Sequence, residues 1–319
     1  MPNLILVHQT TKQDRADYET IARQLGERAR DIRVFIVDTK EENWADPNFD
    51  HGVRTLTVSP MPIKRFSPPR GTVCQGFEHP KGEQYERLTR IGVRVPRWVR
   101  IGPGTALDPA EWGPYVVVKP ELGRKGAEIF IKRARRVRFR PPESFPEDHP
   151  ARRGPLLAQC FVYTGRWPVS YRVVTLFGRR LLCWRCEADH RYVPLNSRWD
   201  FKARGGITVV SNKTDSRYRL ARDSDVIGLA ERAHAAFPGQ PLLGTDIVRD
   251  ADTGELSVIE CNPRGDSWLI SSDMGRMIER ANGLDFAAQF GALEAAAEVL
   301  VRETRARASR VTSRRQTEE

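Results

Sequence analysis

The chain has 319 residues, 39% of them hydrophobic and 29% charged, enough for a large core and for two or three domains. Its net charge of +11 points to an anionic partner without saying which kind. No apolar stretch approaches the ~20 residues of a membrane span, and zinc-finger spacing, an aromatic RNP pattern and heptads on a basic region are missing.

The opening MPNLILVHQ holds a short apolar run and no basic lead, which predicts a first strand rather than a secretion signal. A strand at 3–9, an amphipathic helix at 14–29 and strands at 32–38, 54–60 and 71–77 follow. That alternation predicts an α/β start, a small parallel sheet with helices packed on it. The stretch 81–96 reads as a helix stopped by Gly92, with Pro96 at its end. From Pro114 the pattern changes to hairpins. Strands flank a loop holding Gly123 and Gly126, another strand lies in 154–165, and 170–188 is a hairpin around Gly178. The polar stretch from Asp189 to Gly206 has no period and is long enough to be a lid. A helix at 224–237, a hairpin at 242–263 turning on Asp250–Gly254, and one long helix over 284–308 complete the chain. The expected organisation is 1–78, 79–298 and a basic tail at 299–319.

Five cysteines, an odd number spread through strand-like segments, argue for a reducing compartment, the cytoplasm by default. Cys183 and Cys186 form one CxxC with no second pair, which reads as strand packing rather than zinc. The cluster IKRARRVRFR at 131–140 and the arginines of the tail read first as solvated faces.

The stretch SVIECNPRG begins as a buried strand and then places Glu260 and Asn262 at spacing two, so both project from one face. Asp246 sits on the partner strand of the same hairpin. Three oxygen-bearing side chains at one sheet end suit magnesium, which wants hard oxygen ligands. Lys119 ends an apolar strand just before the glycine loop, whose backbone N–H groups, with Arg124 and Lys125, suit phosphate oxygens. No P-loop is present.

The ordered segments VVVKP, glycine flap, AQCFV, YRVV, RGG, GTDI and IECNP resemble the ATP-grasp superfamily, most of all its ribosomal-protein-S6 glutamate ligase and glutathione synthetase branch. The resemblance covers roughly residues 79–298 and implies an ATP-grasp fold, α+β in its catalytic part, behind a pre-ATP-grasp parallel-sheet domain. It implies that Lys81, Lys119, Gly123, Lys125 and Gly126 hold the phosphates of ATP. Gln159, Phe161 and Val162 would meet adenine. Arg172, Lys202 and Arg204 would serve the transferred phosphoryl group, and Asp246, Glu260 and Asn262 would hold magnesium, with manganese as the alternative. The flap reads ELGRKG where relatives often carry GSSGKG, and Ser170 replaces an acidic residue before Arg172.

The activity implied is ligation of a small-molecule or peptide carboxylate to an amine acceptor through an acyl phosphate, releasing ADP and phosphate. Phosphoryl transfer to another group and non-catalytic nucleotide binding are the alternatives. An anionic acceptor would suit the charge, a homo-oligomer would be ordinary, and no membrane partner is expected.

Overall fold

The computed structural model describes residues 1–122, 129–188, 216–263 and 267–308. Gly123, Lys125, Gly126, Lys202, Arg204 and the expected lid at 189–206 lie outside the described residues.

The first segment runs β1 (Asn3–His8), α1 (Arg15–Arg28), β2 (Arg33–Asp38), β3 (Thr55–Ser59) and β4 (Thr72–Gln75). The strands pair parallel in the order β2-β1-β3-β4. Every residue of β1 is buried, as a central strand covered on both faces must be. Asp14 caps α1 by accepting from the Ala16 N–H, and the helix buries Tyr18, Ile21 and Leu25 on one stripe.

Next comes α2 (Lys81–Arg90), which stops at Gly92 as its pattern suggested. Gly92 adopts φ 73° and the Val93 N–H turns back to the Leu88 carbonyl, closing the helix at that glycine. The second sheet holds β5 (Trp98–Arg100), β6 (Tyr115–Pro120), β7 (Phe130–Arg133) and β8 (Leu156–Cys160), with the short helix α3 (Pro109–Trp112) after β5. It is antiparallel, in the order β5-β8-β6-β7.

The third sheet is β9 (Val169–Leu176), β10 (Arg179–Ala188), β11 (Ser216–Leu220), β12 (Leu242–Arg249) and β13 (Leu256–Asn262), with α4 (Ser224–His234) before β12. Its order is β11-β10-β9-β12-β13, all antiparallel. One face shares a core with the first sheet through Val174, Leu176, Trp184, Leu242, Leu4, Leu6 and α1. The other packs on α4 through Tyr171, Val173, Cys183, Leu243 and Ile247. Cys183 and Cys186, three apart on one strand, therefore enter opposite cores and cannot share a metal. Burial raises both thiols, to about 12 and about 11.

The chain closes with α5 (Asp273–Asn282), α6 (Phe286–Gln289) and α7 (Ala292–Ala308). The single helix expected over 284–308 is thus two, because Gly291 takes φ 60° between them. The far end of α7 is anchored by fully buried Thr304 and by Arg305 paired with Asp31. Among the described residues no helix is long and apolar enough to cross a membrane.

Candidate active site at the seam of two sheets

The face of the third sheet that is apolar at Val174, Trp184 and Leu242 turns polar at its far end. Register places Arg172 of β9 opposite Asp246 of β12, and Asp246 opposite Glu260 of β13, one row across three strands. The Arg172 guanidinium donates through Nε and through its terminal nitrogen to both Asp246 oxygens, each at 2.6 Å. Asn262 Nδ2 donates to Asp246 Oδ2 at 3.1 Å, so the two side chains predicted to converge from the paired strands do meet. Gly244, two residues before Asp246, lets the chain after β13 approach, since a Cβ there would lie 2.4 Å from Ser267 Oγ.

The second half of the site comes from α2 and the second sheet. Lys81, Gln84, Tyr85 and Leu88, at helical spacing i, i+3, i+4 and i+7, form the buried face of α2. Lys81 Nζ pairs with Glu260 Oε1 at 3.1 Å. Gln84 Oε1 accepts from the Cys261 N–H at 2.8 Å. A β-bulge between β12 and β13 leaves Ile259 out of the ladder, as Asp246 faces Glu260 while Ile247 faces Val258. The Ile259 carbonyl instead accepts from Tyr85 Oη at 2.7 Å and from Lys119 Nζ at 3.2 Å. One bulged carbonyl thus ties the second sheet to the third.

Lys119 itself is 5% exposed, with Nζ also bonded to Gln159 Oε1 at 2.9 Å and lying 5.3 Å from the centre of the Tyr85 ring. Burial pulls its pKa from 10.5 down to about 8; Glu260 and Asp246 oppose that shift and Lys81 adds to it. Burial pushes the Asp246 carboxyl up against the pull of Arg172. Arg172 is held above its ordinary value, burial being overcome by the Asp246 carboxylate.

Of the residues singled out by sequence, Lys81, Lys119, Gln159, Arg172, Asp246, Glu260 and Asn262 are joined in one contiguous network. Gln159 meets Lys119. Phe161 and Val162 follow the end of β8, Phe161 packing near Ile131 and Tyr163 on the face that carries Lys119. Gln84, Tyr85 and the Ile259 carbonyl were missed. Their positions on the Lys81 face of α2 signalled the first two; nothing in the residue types signals the bulge.

No protein-family model and no curated protein matches this sequence. Solved structures do. The ATP-grasp ligase PsnB, complexed with its minimal precursor, Mg and ADP, superposes with a TM-score of 0.50 at 16% identity, covering 95% of this chain and 98% of that one. PsnB with a phosphomimetic variant of that precursor, Mg and ADP gives 0.50 and 16%, over 94% and 98%. The chain has the ATP-grasp fold. In that fold the parallel β1–β4 sheet precedes two antiparallel sheets, and the Lys81–Lys119–Glu260–Asp246 network lies at the seam of those two.

Oxygen donors dominate the third-sheet side of the seam. Among the described residues no group of three His, Cys, Asp and Glu side chains could hold a metal. The set of Asp246, Glu260 and the Asn262 amide is two carboxylates and one neutral oxygen, which suits a hard cation that keeps water or phosphate ligands. It does not suit zinc, which prefers sulfur and nitrogen.

Proposed function

We propose that the protein is an ATP- and magnesium-dependent carboxylate–amine ligase. The observation that carries this reading is the convergence of two buried lysines from one side of the seam with two carboxylates and an amide from the other. The ATP-grasp ligase PsnB is complexed with Mg and ADP, which supports the same cofactors here.

Asp246, Glu260 and Asn262 are the residues that would hold magnesium, which supplies charge neutralisation on the phosphates. Lys119 and Lys81 bind and orient those phosphates, their ammonium groups turning from Ile259, Gln159 and Glu260 toward the nucleotide. Arg172, released from Asp246, meets negative charge on the transferred phosphoryl group. The substrate carboxylate attacks the γ-phosphorus, giving an acyl phosphate and ADP. An amine then attacks the acyl carbon and phosphate leaves. Lys202 and Arg204, with Gly123, Lys125 and Gly126, are assigned to closing this site on the phosphates, and Phe161 and Val162 to the adenine edge. The chain supplies position and charge rather than a covalent intermediate.

The deciding experiment is an ADP-release screen over amino acids, peptides and paired small carboxylates and amines, with intact-mass detection. Ligation predicts one ADP per new amide. A phosphorylated product with no amide selects phosphoryl transfer instead, and no ADP above background with any pair selects a binding protein.

A further inference from the structure

The second sheet has two faces, and only one of them looks into the seam. Val117 and Lys119 point to the seam, while Val116 and Val118 point to a separate core with Ile101, Leu107, Ala134, Val137 and Ala158. On that outer face lies a cavity of about 510 Å³ floored by Ile101, Val118 and Leu156. Its wall is the segment that the sequence marked only as a charge run. Ala134 and Val137 are buried and pin the segment to the core, so the residues between and beyond them are turned outward. Lys132, Arg136, Arg138 and Arg140 line the cavity from this segment, and Arg152 joins them from the turn before β8; among the described residues the lining contains no acidic one.

About half of the arginines described on the rest of the surface are matched with carboxylates, as in Arg15–Glu19, Arg94–Glu255 and Arg97–Glu111. Like scattered arginines such as Arg90, Arg179 and Arg219, none of the five cavity cations makes an ion pair among the described residues, but these five are clustered. Three are nonetheless positioned. Arg138 donates to the Val137 carbonyl at 2.7 Å, Arg140 to the Ser144 carbonyl at 2.9 Å, and Arg152 Nε to the Phe145 carbonyl at 2.9 Å. Arg140 also lies 4.5 Å from the centre of the Phe145 ring. Each fork is held by one edge with other N–H groups left over, an arrangement suited to bidentate capture of an oxyanion. Phe145 is covered by Arg140 and stacked on His149, so it offers no open platform to a nucleobase. A half-open, concave volume with an apolar floor favours a compact ligand over an extended chain.

We propose that this cavity is a second ligand site, on the opposite face of the second sheet from the ATP-grasp seam, for a compact organic anion carrying two or more phosphate or carboxylate groups. It stands whether or not the ligase reading does.

The test is calorimetric titration of the full chain at low salt with inorganic tripolyphosphate and with tricarballylate. Lys119→Ala disables the seam, and the double variant Arg138→Gln/Arg140→Gln disables the cavity while touching only exposed side chains. A third variant, Arg23→Gln/Arg30→Gln, removes the same charge elsewhere. Binding should survive Lys119→Ala and the Arg23/Arg30 variant, and weaken by about tenfold or more in the cavity variant. The tighter of the two probes names phosphate or carboxylate as the preferred group. The proposal is overturned if neither probe binds, if Lys119→Ala abolishes binding while the cavity variant keeps it, or if both arginine doubles weaken it equally. Binding of a hexaglutamate peptide but of neither small anion would overturn it too, as the site would then take an acidic chain.

Discussion

Two sets of cations in this molecule invite opposite treatment. At the seam, Lys81 and Lys119 are buried and Arg172 is largely so, and each lies against a carboxylate, a carbonyl or both. Along 132–140 the cations are exposed and, where they line the cavity, unmatched. The first set contributes little to the net charge of +11 yet holds the whole candidate site together. Charge that has been desolvated must be compensated, so its partners are fixed and its pKa values move. Charge left in water needs no partner, and its worth depends on what arrives.

Mutation should separate the two sets sharply. Glu260→Gln keeps the shape at β13 but removes the charge facing Lys81, so under the proposed function turnover should fall by at least about 10²-fold, with no rescue by raised magnesium. Near-normal ADP release at limiting magnesium would remove Glu260 from the metal set. Arg172→Ala leaves the largely buried Asp246 without its bidentate partner, which should lower stability by about 3 kcal/mol. A melting temperature equal to wild type would show that the pair is not buried as described. Lys119→Ala should instead act on nucleotide affinity, weakening ATP by about 10²-fold, whereas Arg172→Ala should act more on turnover than on affinity. Equal effects of both on ATP affinity would erase that division.

pH offers a finer probe of the same contrast. With Lys119 at about 8 in the free protein, the phosphates of ATP should raise its pKa and draw a proton in. Calorimetry near pH 8 in buffers of different ionisation enthalpy should therefore report uptake of a fraction of one proton, lost in Lys119→Ala. For stability the sign is different. Between about 8 and 10.5 the unfolded chain holds this proton more firmly than the folded one, so this group's contribution rises with pH across that window. The smallest effect belongs to the end of the chain. Removal of residues 309–319 takes away three arginines and two glutamates, and ATP affinity should not change measurably.

How much of this could be read in the residues differs from part to part. The hairpin of Asp246, Glu260 and Asn262 was legible because strand alternation fixes which side chains share a face, and the Asp250–Gly254 turn set the pairing. Alternating strand and helix at the start foretold the parallel sheet. The break between α6 and α7 was not foreseen, since an apolar helical pattern continues straight across a glycine whose backbone sign the sequence does not state. β5 was missed because three residues carry too little period. Least legible was the bulge at Ile259. A bulge is set by the fit of two strands, and isoleucine looks the same inside a ladder and outside one.

That bulge also has a bearing on when the site can exist during synthesis. The bonds that make the seam join positions far apart along the chain, 140 residues from Lys119 to Ile259, 174 from Tyr85 and 177 from Gln84 to Cys261. Such distant closures come late, after local hairpins and helices have formed. A nascent chain emerging in order would display its two lysines long before the strand that completes their pocket, and nucleotide could reward folding only after β13 had left the ribosome.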